Sequence, residues 1–334
     1  MKKKNVAIGI GGALGGLIAW KMLTRAENVV WADVSDKVQH KENSHFVEID
    51  GATVHYQEFG EKSNPTLILI HGYTASAYVW HTVAPLLAGE NFHVVAVDLL
   101  GFGYSDKPAS FDYSIASQAR VISRFMSRLG IGRATIVGSS YGGAVAATVA
   151  LDYAERVEKL VLVDAVVNDE AKNSPILKLA SIPFVGEIVS PFLLDSKRFF
   201  KRRMRTTIAP ENHHLITKER VESVARPLHA ADAHRSVLAT ARAWDANRIE
   251  ADASFITQPT LLVWGADDRV IPVLNGEKLH EAILHSRLVV FKNCGHVPQE
   301  EAPENFVRVV VDFCRSRRGN FEINASEQMR FINQ

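Results

Sequence analysis

The chain has 334 residues, 47% of them hydrophobic, which is enough to bury a large core. Its 38 lysines and arginines almost balance 37 acidic residues, and a net charge of +1 excludes the broad basic surface typical of nucleic-acid-binding proteins. The two cysteines, Cys294 and Cys314, form no C-x-x-C pair, so we expect buried thiols, no disulfide framework and no metal site.

Residues 1–25 form a separate segment. Lysines at positions 2–4 precede an uncharged run from Val6 to Trp20, which is longer than most signal-peptide cores but shorter than the about 20 residues of a usual membrane span. Amphipathic residues at its end extend the run, so we predict a membrane anchor over residues 6–23. The preceding lysines predict a cytoplasmic N-terminus and a periplasmic or extracellular position for the rest of the chain. The alternative is a cleaved signal peptide and a secreted protein, although no A-x-A-like cleavage site follows closely.

The globular part begins after a linker over residues 26–43. The stretch HFVEIDGATVHYQEFG alternates apolar and polar residues around Asp50-Gly51 and predicts a two-stranded hairpin at a sheet edge. Short unbroken apolar runs follow, and such runs are typical of parallel strands buried on both faces. The predicted strands are TLILI (66–70), HVVAV (93–97), ATIVG (134–138), KLVLV (159–163), TLLVW (260–264) and RLVVF (287–291).

The spacing of these runs predicts an α/β fold with a mostly parallel central sheet flanked by helices. Most gaps have room for one crossover helix, and SIASQARVISRFMSRLG and VLNGEKLHEAILH have helical spacing. The gap between Val163 and Thr260 is far too long for one crossover and predicts an inserted helical segment. The predicted units are a core of 44–165 and 252–318, an insertion of 166–251, and a C-terminal tail of 319–334 without a recognised motif.

A sharp bend follows the predicted strand at 134–138. Gly138-Ser139-Ser140-Tyr141-Gly142 lies between that strand and the helical run AVAATVALDYA, which is the context of a G-x-S-x-G nucleophile turn. Such a turn strains the nucleophile's backbone, and the flanking glycines leave room for the helix to approach the strand. Only Ser140 lies midway between the two glycines, so we predict that Ser140 is the nucleophile. The alternative is a small-residue turn that only packs the helix against the strand.

A serine hydroxyl is a weak nucleophile, so it needs a base, and the base needs an orienting acid. His296, in NCGHVPQEE, follows the last predicted strand and is the candidate base. The preceding strand leads into LLVWGADDRVIP, so Asp267 and Asp268 are adjacent candidates for the acid. Asp164, at the end of KLVLVD, is a third candidate, because an acid after that strand can also reach the imidazole.

An acyl-transfer site also needs N–H donors for the negative charge that develops on the carbonyl oxygen. The residue after the nucleophile supplies one donor, the backbone N–H of Tyr141. The loop HGYTAS after the strand at 66–70 supplies the second, and the backbone N–H of Tyr73 is the candidate. We expect His71, in the same loop, to brace it.

Five motifs in this order and spacing resemble the α/β-hydrolase superfamily, in its branch with a serine nucleophile. They are LILIHGYTAS, VVAVDLLGFGYSD, IVGSSYGG, LLVWGADDRVIP and NCGHVPQEEAPENF, spread over about residues 44–318. The resemblance implies the α/β-hydrolase fold, a helical cap over residues 166–251 and no cofactor.

The resemblance also implies which acid acts. The family pattern G-x-x-D-x-x-x-P falls on Gly265, Asp268 and Pro272 of this sequence. It therefore implies a catalytic triad of Ser140, Asp268 and His296.

The type of nucleophile narrows the reaction. Epoxide hydrolases and haloalkane dehalogenases of this superfamily use aspartate where this chain has Ser140. Hydrolases of ring-cleavage products usually have tryptophan after the histidine, whereas Val297 follows His296 here, an arrangement similar to bacterial esterases and lipases. We therefore expect a carboxylic ester hydrolase whose substrate is a small-molecule ester, lipid esters included. The alternatives are a carbon–carbon hydrolase of the meta-cleavage product type, a cofactor-free haloperoxidase-like enzyme and a non-catalytic ligand-binding module.

The insertion has two further features. The stretch SPILKLASIPFVGEIVSPFLL is apolar and interrupted by prolines, so it lines an acyl pocket or packs on the core. In DSKRFFKRRMR, helical spacing places Phe199, Phe200 and Met204 away from a basic face, which is either solvated or in contact with anionic headgroups. The basic face consists of Lys197, Arg198, Lys201, Arg202 and Arg205.

Overall fold

The computed structural model describes residues 26–316 and 329–332. The predicted anchor over residues 6–23 lies outside the described residues. Across the two described ranges, no helix is both long and apolar enough to cross a bilayer.

The strands of the described chain form one nine-stranded sheet. They are β1 (Ser44–Ile49), β2 (Ala52–Phe59), β3 (Thr66–Ile70), β4 (His93–Val97), β5 (Ala134–Ser139), β6 (Val157–Val163), β7 (Thr260–Gly265), β8 (Ser286–Phe291) and β9 (Met329–Ile332). Their order is β1-β2-β4-β3-β5-β6-β7-β8-β9. The β1/β2 and β2/β4 pairs are antiparallel and all other pairs are parallel. The predicted fold class, edge hairpin and six buried strands are confirmed.

Helices connect the strands and cover both faces of the sheet. The α-helices are α1 (Trp31–Val34), α2 (Val83–Gly89), α3 (Ile115–Arg128), α4 (Tyr141–Asp152), α5 (Pro175–Ser181), α6 (Val185–Leu194), α7 (Lys197–Thr207), α8 (Lys218–Ala225), α9 (Ala231–Ala243), α10 (Asn247–Asp252), α11 (Val273–Ala282), α12 (Pro298–Glu301) and α13 (Pro303–Arg315). Short 3-10 turns lie at Ser35–Lys37, Lys41–Asn43, Ala77–Trp80, Ala154–Arg156, Asp169–Asn173, Pro210–Leu215, Arg226–Leu228 and Ala253–Phe255. The helices predicted from SIASQARVISRFMSRLG and VLNGEKLHEAILH are α3 and α11.

Alternate residues of each central strand enter two different hydrophobic layers. In β3, Ile68 and Ile70 join the layer that contains α3 and α4, whereas Leu67 and Leu69 join the layer that contains α2 and α13. Both faces of the strand are therefore buried, which explains why its sequence is an unbroken apolar run.

The insertion between β6 and β7 contains α5 to α10. It packs against loops at the carboxyl ends of the parallel strands. The Tyr73 hydroxyl donates to the carbonyl of Val237 at 2.7 Å, and the Ser236 hydroxyl donates to the carbonyl of Gly101 at 2.6 Å. The insertion is therefore helical and contacts the loops that follow β3 and β4.

Two segments have structure that the sequence pattern did not predict. The linker contains α1 and two 3-10 turns, and the Trp31 ring packs edge-on against Phe46 at a centroid distance of 5.2 Å. Residues 329–332 of the C-terminal tail form β9, which pairs in parallel with β8. An edge strand is covered on one side only, so it needs no unbroken apolar run to mark it.

Candidate active site

The order of the strands reverses at β3, and this places two loops together. The chain runs from β3 to its neighbour β4 on one side, and later crosses to β5 on the other side. The carboxyl ends of β3 and β5 are therefore adjacent at a topological switch point, where open α/β sheets bind ligands. Ser140 directly follows β5, and the loop with Tyr73 directly follows β3.

Ser140 occupies a sharp turn between β5 and α4. Its φ of 54° and ψ of −119° are a left-handed conformation that costs a non-glycine residue about 1–3 kcal/mol. Hydrogen bonds hold the turn in place: Ser140 N–H donates to the carbonyl of Val163 at 2.9 Å, and the Ser140 carbonyl accepts from Val166 N–H at 3.0 Å. The end of β6 and the residues that follow it therefore maintain the strained turn.

The two glycines of the turn are required by close backbone contacts. A Cβ at Gly138 would lie 2.2 Å from the carbonyl oxygen of Gly142. A Cβ at Gly142 would lie 2.3 Å from the carbonyl oxygen of Ile70, at the end of β3. Both distances are far below van der Waals contact, so any larger residue would move the helix away from the sheet.

His296 and Asp268 complete a hydrogen-bonded chain from Ser140. The Nε2 atom of His296 lies 2.9 Å from the Ser140 hydroxyl oxygen, and Nδ1 lies 2.7 Å from an Asp268 carboxylate oxygen. The other Asp268 oxygen accepts from the backbone N–H groups of Val270 and Ile271, at 2.7 and 3.1 Å. Because an ionised carboxylate only accepts, Nδ1–H donates to Asp268 and Nε2 is left to accept the serine proton.

The other two candidate acids have different positions. The Asp267 side chain is exposed. Asp164 is buried beside Asp268, and its side chain, that of Asp268 and that of His296 each place a polar atom within 4.8 Å of the others. Burial raises the pKa of Asp164 well above its usual range, and the negative charge of Asp268 adds to this. One Asp164 oxygen accepts from the backbone N–H of Gly265 at 3.0 Å.

The two candidate oxyanion donors lie beside Ser140. Tyr141 is the first residue of α4, and a Cβ placed on Gly72 would lie 3.0 Å from the Ser140 Cβ, so the Tyr73 loop approaches the serine closely. Within the described part of the chain, neither backbone N–H donates to a protein acceptor.

His71 braces the Tyr73 loop, as predicted. Its Nε2 accepts from the backbone N–H of Leu99 at 3.1 Å, and its Nδ1–H donates to the carbonyl of Gly72 at 2.8 Å. Burial lowers the pKa of His71, which favours this neutral tautomer.

Glu301 fixes the loop that carries His296, and sequence reasoning missed it. Its carboxylate accepts from the backbone N–H of Gly295 at 3.0 Å, and from Ala209 N–H and the Asn212 side-chain amide at 2.9 Å each. These partners belong to the His296 loop and to the insertion, so one buried acid joins the two. Nothing in the local pattern QEEAPENF distinguishes Glu301 from a solvated helix residue.

A cavity of about 490 Å³ opens onto Ser140 and His296. Side chains of the insertion form much of its apolar wall, namely Leu177, Phe199, Phe200, Met204, Val224 and Trp244. The size is typical of a pocket for a small organic molecule. Of the two outcomes predicted for the apolar stretch, Leu177 shows that part of it lines the cavity.

Neither cysteine belongs to the site. Cys294 is buried in the layer of α2 and α13, and Cys314 is partly buried. Burial raises the pKa of Cys314 to about 11, so its thiol is a weak nucleophile at neutral pH.

The chain is similar to known proteins in both sequence and structure. Residues 65–303 match the model of a family described as the alpha/beta hydrolase fold. A 2-hydroxy-6-oxononadienedioate/2-hydroxy-6-oxononatrienedioate hydrolase of Burkholderia vietnamiensis (strain G4 / LMG 22486) is 31% identical, over 84% of this chain and 100% of that protein.

Two solved structures are similar over most of their length. A meta-cleavage product hydrolase from Pseudomonas fluorescens IP01 has a TM-score of 0.69 and 27% identity, covering 82% of this chain and 98% of that one. A membrane phospholipase A, described as a bacterial virulence factor, has a TM-score of 0.68 and 26% identity, covering 94% of this chain and 98% of that one.

Proposed function

Because this chain belongs to the alpha/beta hydrolase fold family, we propose that it is a carboxylic ester hydrolase in which Ser140 forms an acyl-enzyme. The observation that carries the proposal is the continuous hydrogen-bonded chain from Ser140 through His296 to Asp268, with distances of 2.9 and 2.7 Å. The arrangement supplies a nucleophile, a base and an orienting acid, which acyl transfer requires together.

In the first step, the Ser140 oxygen attacks the ester carbonyl carbon while Nε2 of His296 accepts the hydroxyl proton. Asp268 holds the imidazole in the required tautomer and stabilises the imidazolium. The imidazolium then donates its proton to the departing alkoxide, so an alcohol leaves and the acyl group stays on Ser140. General-base assistance of this kind is worth about 10²- to 10⁴-fold in rate.

The backbone N–H groups of Tyr73 and Tyr141 are the proposed donors to the oxyanion. Their lack of protein acceptors within the described chain supports this role. Each such donor contributes about 3–4 kcal/mol of transition-state stabilisation.

In the second step, a water molecule attacks the acyl carbon. His296 takes the water proton and returns it to the Ser140 oxygen as the acyl–oxygen bond breaks, which releases the carboxylic acid. In this scheme the insertion, residues 166–251, acts as a cap whose apolar residues receive the acyl group.

A second candidate is hydrolysis of a carbon–carbon bond in a meta-cleavage product. The similarity at 31% identity to a hydrolase of this kind from Burkholderia vietnamiensis favours it. Two observations favour ester hydrolysis instead. Val297 follows His296, and the chain is similar to a phospholipase A over 94% of its length.

The test is turnover of p-nitrophenyl esters by wild type, Ser140→Ala and Ser139→Ala. We expect a loss of about 10⁴-fold or more in kcat for Ser140→Ala. The Ser139 hydroxyl accepts from the Gln299 side-chain amide at 3.5 Å and is not a member of the hydrogen-bonded chain from Ser140 to Asp268, so its variant should keep most activity. Undiminished activity of Ser140→Ala would reject the proposal.

The reaction type is tested with the same protein and 2-hydroxy-6-oxo-6-phenylhexa-2,4-dienoate. We expect kcat/KM for this dienoate to lie well below that for the best ester. The opposite ranking would favour the carbon–carbon hydrolase.

We also propose that residues 6–23 anchor the protein to a membrane, with the catalytic domain on the periplasmic or extracellular side. The similarity to a membrane phospholipase A supports this. So do exposed apolar side chains in the segment that precedes the basic helix α7 in the chain: Leu179, Ile182, Phe184, Ile188 and Phe192. The full-length protein should stay with membranes through a high-salt wash and leave them only in detergent. Release by salt alone would contradict the proposal.

A further inference from the structure

Arg203 is an inward-facing cation on a helix whose other basic residues are exposed. The predicted basic face of α7 is solvent-exposed throughout, whereas Arg203 lies on the side of Phe200 and Met204 and lines the cavity above Ser140. Its Nη1 donates to the Thr74 hydroxyl at 2.8 Å. Thr74 directly follows Tyr73, a proposed oxyanion donor, and Arg203 lines the same cavity as Ser140.

No carboxylate of the described residues compensates the charge of Arg203. Within the described chain, no acidic oxygen lies within 4.0 Å of the Arg203 guanidinium. Of the other acids around the cavity, Glu300 is paired with Arg220 at 2.9 Å and Glu170 is exposed. Burial lowers the pKa of Arg203, but a guanidinium remains charged at any pH in which the protein is folded.

An unpaired cation in a partly buried wall reduces folding stability, so its presence calls for a compensating anion. A guanidinium has five N–H donors, and the Thr74 hydroxyl takes one of them. The remaining donors are available for the planar, bidentate recognition of carboxylate or phosphate that arginine provides.

We propose that Arg203 binds an anionic oxygen group of the substrate, a carboxylate or a phosphate, a few bonds from the scissile carbonyl. This inference rests on the proposed ester hydrolysis and defines its substrate class. The apolar wall receives the hydrocarbon part. Arg203 also borders a smaller cavity of about 40 Å³ lined mainly by aliphatic residues of α5 and α6, so the anion lies between two apolar regions.

The experiment compares pairs of esters in which one member carries an anionic group that the other lacks. Mono-p-nitrophenyl glutarate and p-nitrophenyl valerate test the carboxylate, and 1-butyrylglycerol-3-phosphate and 1-butyrylglycerol test the phosphate. The full-length variants are Arg203→Gln, Arg203→Lys and Arg202→Gln, the last being an exposed control on the same helix.

For Arg203→Gln we expect kcat/KM for the anionic ester to fall about 10- to 100-fold, as for loss of a hydrogen bond to a charged group. The neutral ester should change less than about threefold, and Arg202→Gln should change neither. Arg203→Lys should recover part of the loss, since lysine keeps the positive charge but lacks the planar pair of N–H donors of a guanidinium. The pair with the larger loss identifies carboxylate or phosphate as the recognised group.

Equal losses for charged and neutral esters would overturn the inference and assign Arg203 to bracing Thr74. A wild type that prefers both neutral esters would overturn it as well. Because an unpaired cation is lost, the melting temperature of Arg203→Gln should not fall.

A binding measurement distinguishes a failure of this inference from a failure of the proposed function. Calorimetry with monomethyl glutarate should give at least about tenfold weaker binding to Ser140→Ala/Arg203→Gln than to Ser140→Ala. Equal binding would refute the role of Arg203, whereas failure of the wild type to cleave any of the four esters, charged or neutral, would refute ester hydrolysis alone.

Discussion

Asp268 and Asp164 lie side by side behind His296, yet their surroundings differ. Asp268 accepts hydrogen bonds from two backbone N–H groups and from the imidazole. Burial and the negative charge of Asp268 raise the pKa of Asp164. Two close carboxyl groups rarely ionise together, so we propose that Asp268 orients His296 and that Asp164 is its neutral neighbour.

Substitution of each acid by asparagine tests this division. Asp268→Asn should lower kcat about 10⁴-fold, because its amide stabilises the wrong imidazole tautomer. Asp164→Asn should keep kcat within about tenfold of wild type, since asparagine imitates a neutral acid. Asp267→Asn, at an exposed position, is the matched control. A larger loss for Asp164→Asn than for Asp268→Asn, measured by ester turnover, would reverse the assignment.

Residue roles were predictable from sequence only where a motif marks them. Ser140 and His296 follow strands at recognisable turns, but local sequence did not separate Asp267, Asp268 and Asp164, and the choice of Asp268 depended on a family resemblance. Arg203 had a weak signal, since helical spacing places it with Phe200 rather than with the basic face. Its unpaired charge depends on packing between distant segments, which no local pattern encodes.

At the scale of elements, the loop after β8 depends on the insertion for its position. The backbone N–H of His296 donates to the carbonyl of Thr207 at 2.7 Å, and Glu301 joins Gly295 to Ala209. His296 is thus held by contacts with residues about 90 positions earlier in the chain. The insertion therefore holds the His296 loop as well as lining the cavity.

Glu301→Gln tests this connection. We expect kcat to fall about 10- to 100-fold with KM within about threefold, because the misplaced imidazole impairs the chemical step more than binding. Glu304→Gln, at an exposed position on α13, should leave both constants unchanged. Full activity of Glu301→Gln in steady-state assays would show that the loop keeps its geometry without this carboxylate.

Strands were predictable from the sequence where both of their faces are buried. The six buried strands appeared as unbroken apolar runs because both faces of each strand enter a hydrophobic layer. The short helix at Trp31 and the edge strand β9 did not appear, because each is held by packing on one side of a larger unit. Local sequence carries little information about such partial burial.

At the scale of the whole molecule, three of the described non-glycine residues with positive φ lie at one edge of the sheet. Thr74, Ser140 and Asp164 have positive φ values of 59°, 54° and 42°, and they follow the neighbouring strands β3, β5 and β6. Strained residues persist only where the surrounding structure fixes them. The hydrogen bonds and layers beneath this edge therefore support the strained geometry of the site.

Glu300, a buried acid in the wall of the cavity, should make the stability of the protein depend on pH. Burial raises the pKa of Glu300 from 4.5 to about 7, although Arg220 opposes the shift. The folded state then binds more protons than the unfolded state between these values, so the free energy of unfolding falls as pH rises from 4.5 to about 7. The loss amounts to about 3 kcal/mol.

Denaturant unfolding of wild type and Glu300→Gln across this pH range is the measurement. The variant should gain stability relative to wild type as pH rises, because glutamine does not ionise. Glu304→Gln, with an exposed side chain, should follow the wild type. Parallel curves for wild type and Glu300→Gln would show that the pKa of Glu300 is not raised in the folded protein.

The most direct test of the account is covalent labelling of the protein by a fluorophosphonate, with the modified residue located by peptide mass spectrometry. The probe reacts only with a serine that an adjacent base activates. We predict one adduct, on Ser140, that disappears in Ser140→Ala and is strongly reduced in His296→Ala. An unlabelled wild type, or an adduct on another residue that survives in Ser140→Ala, would contradict the account.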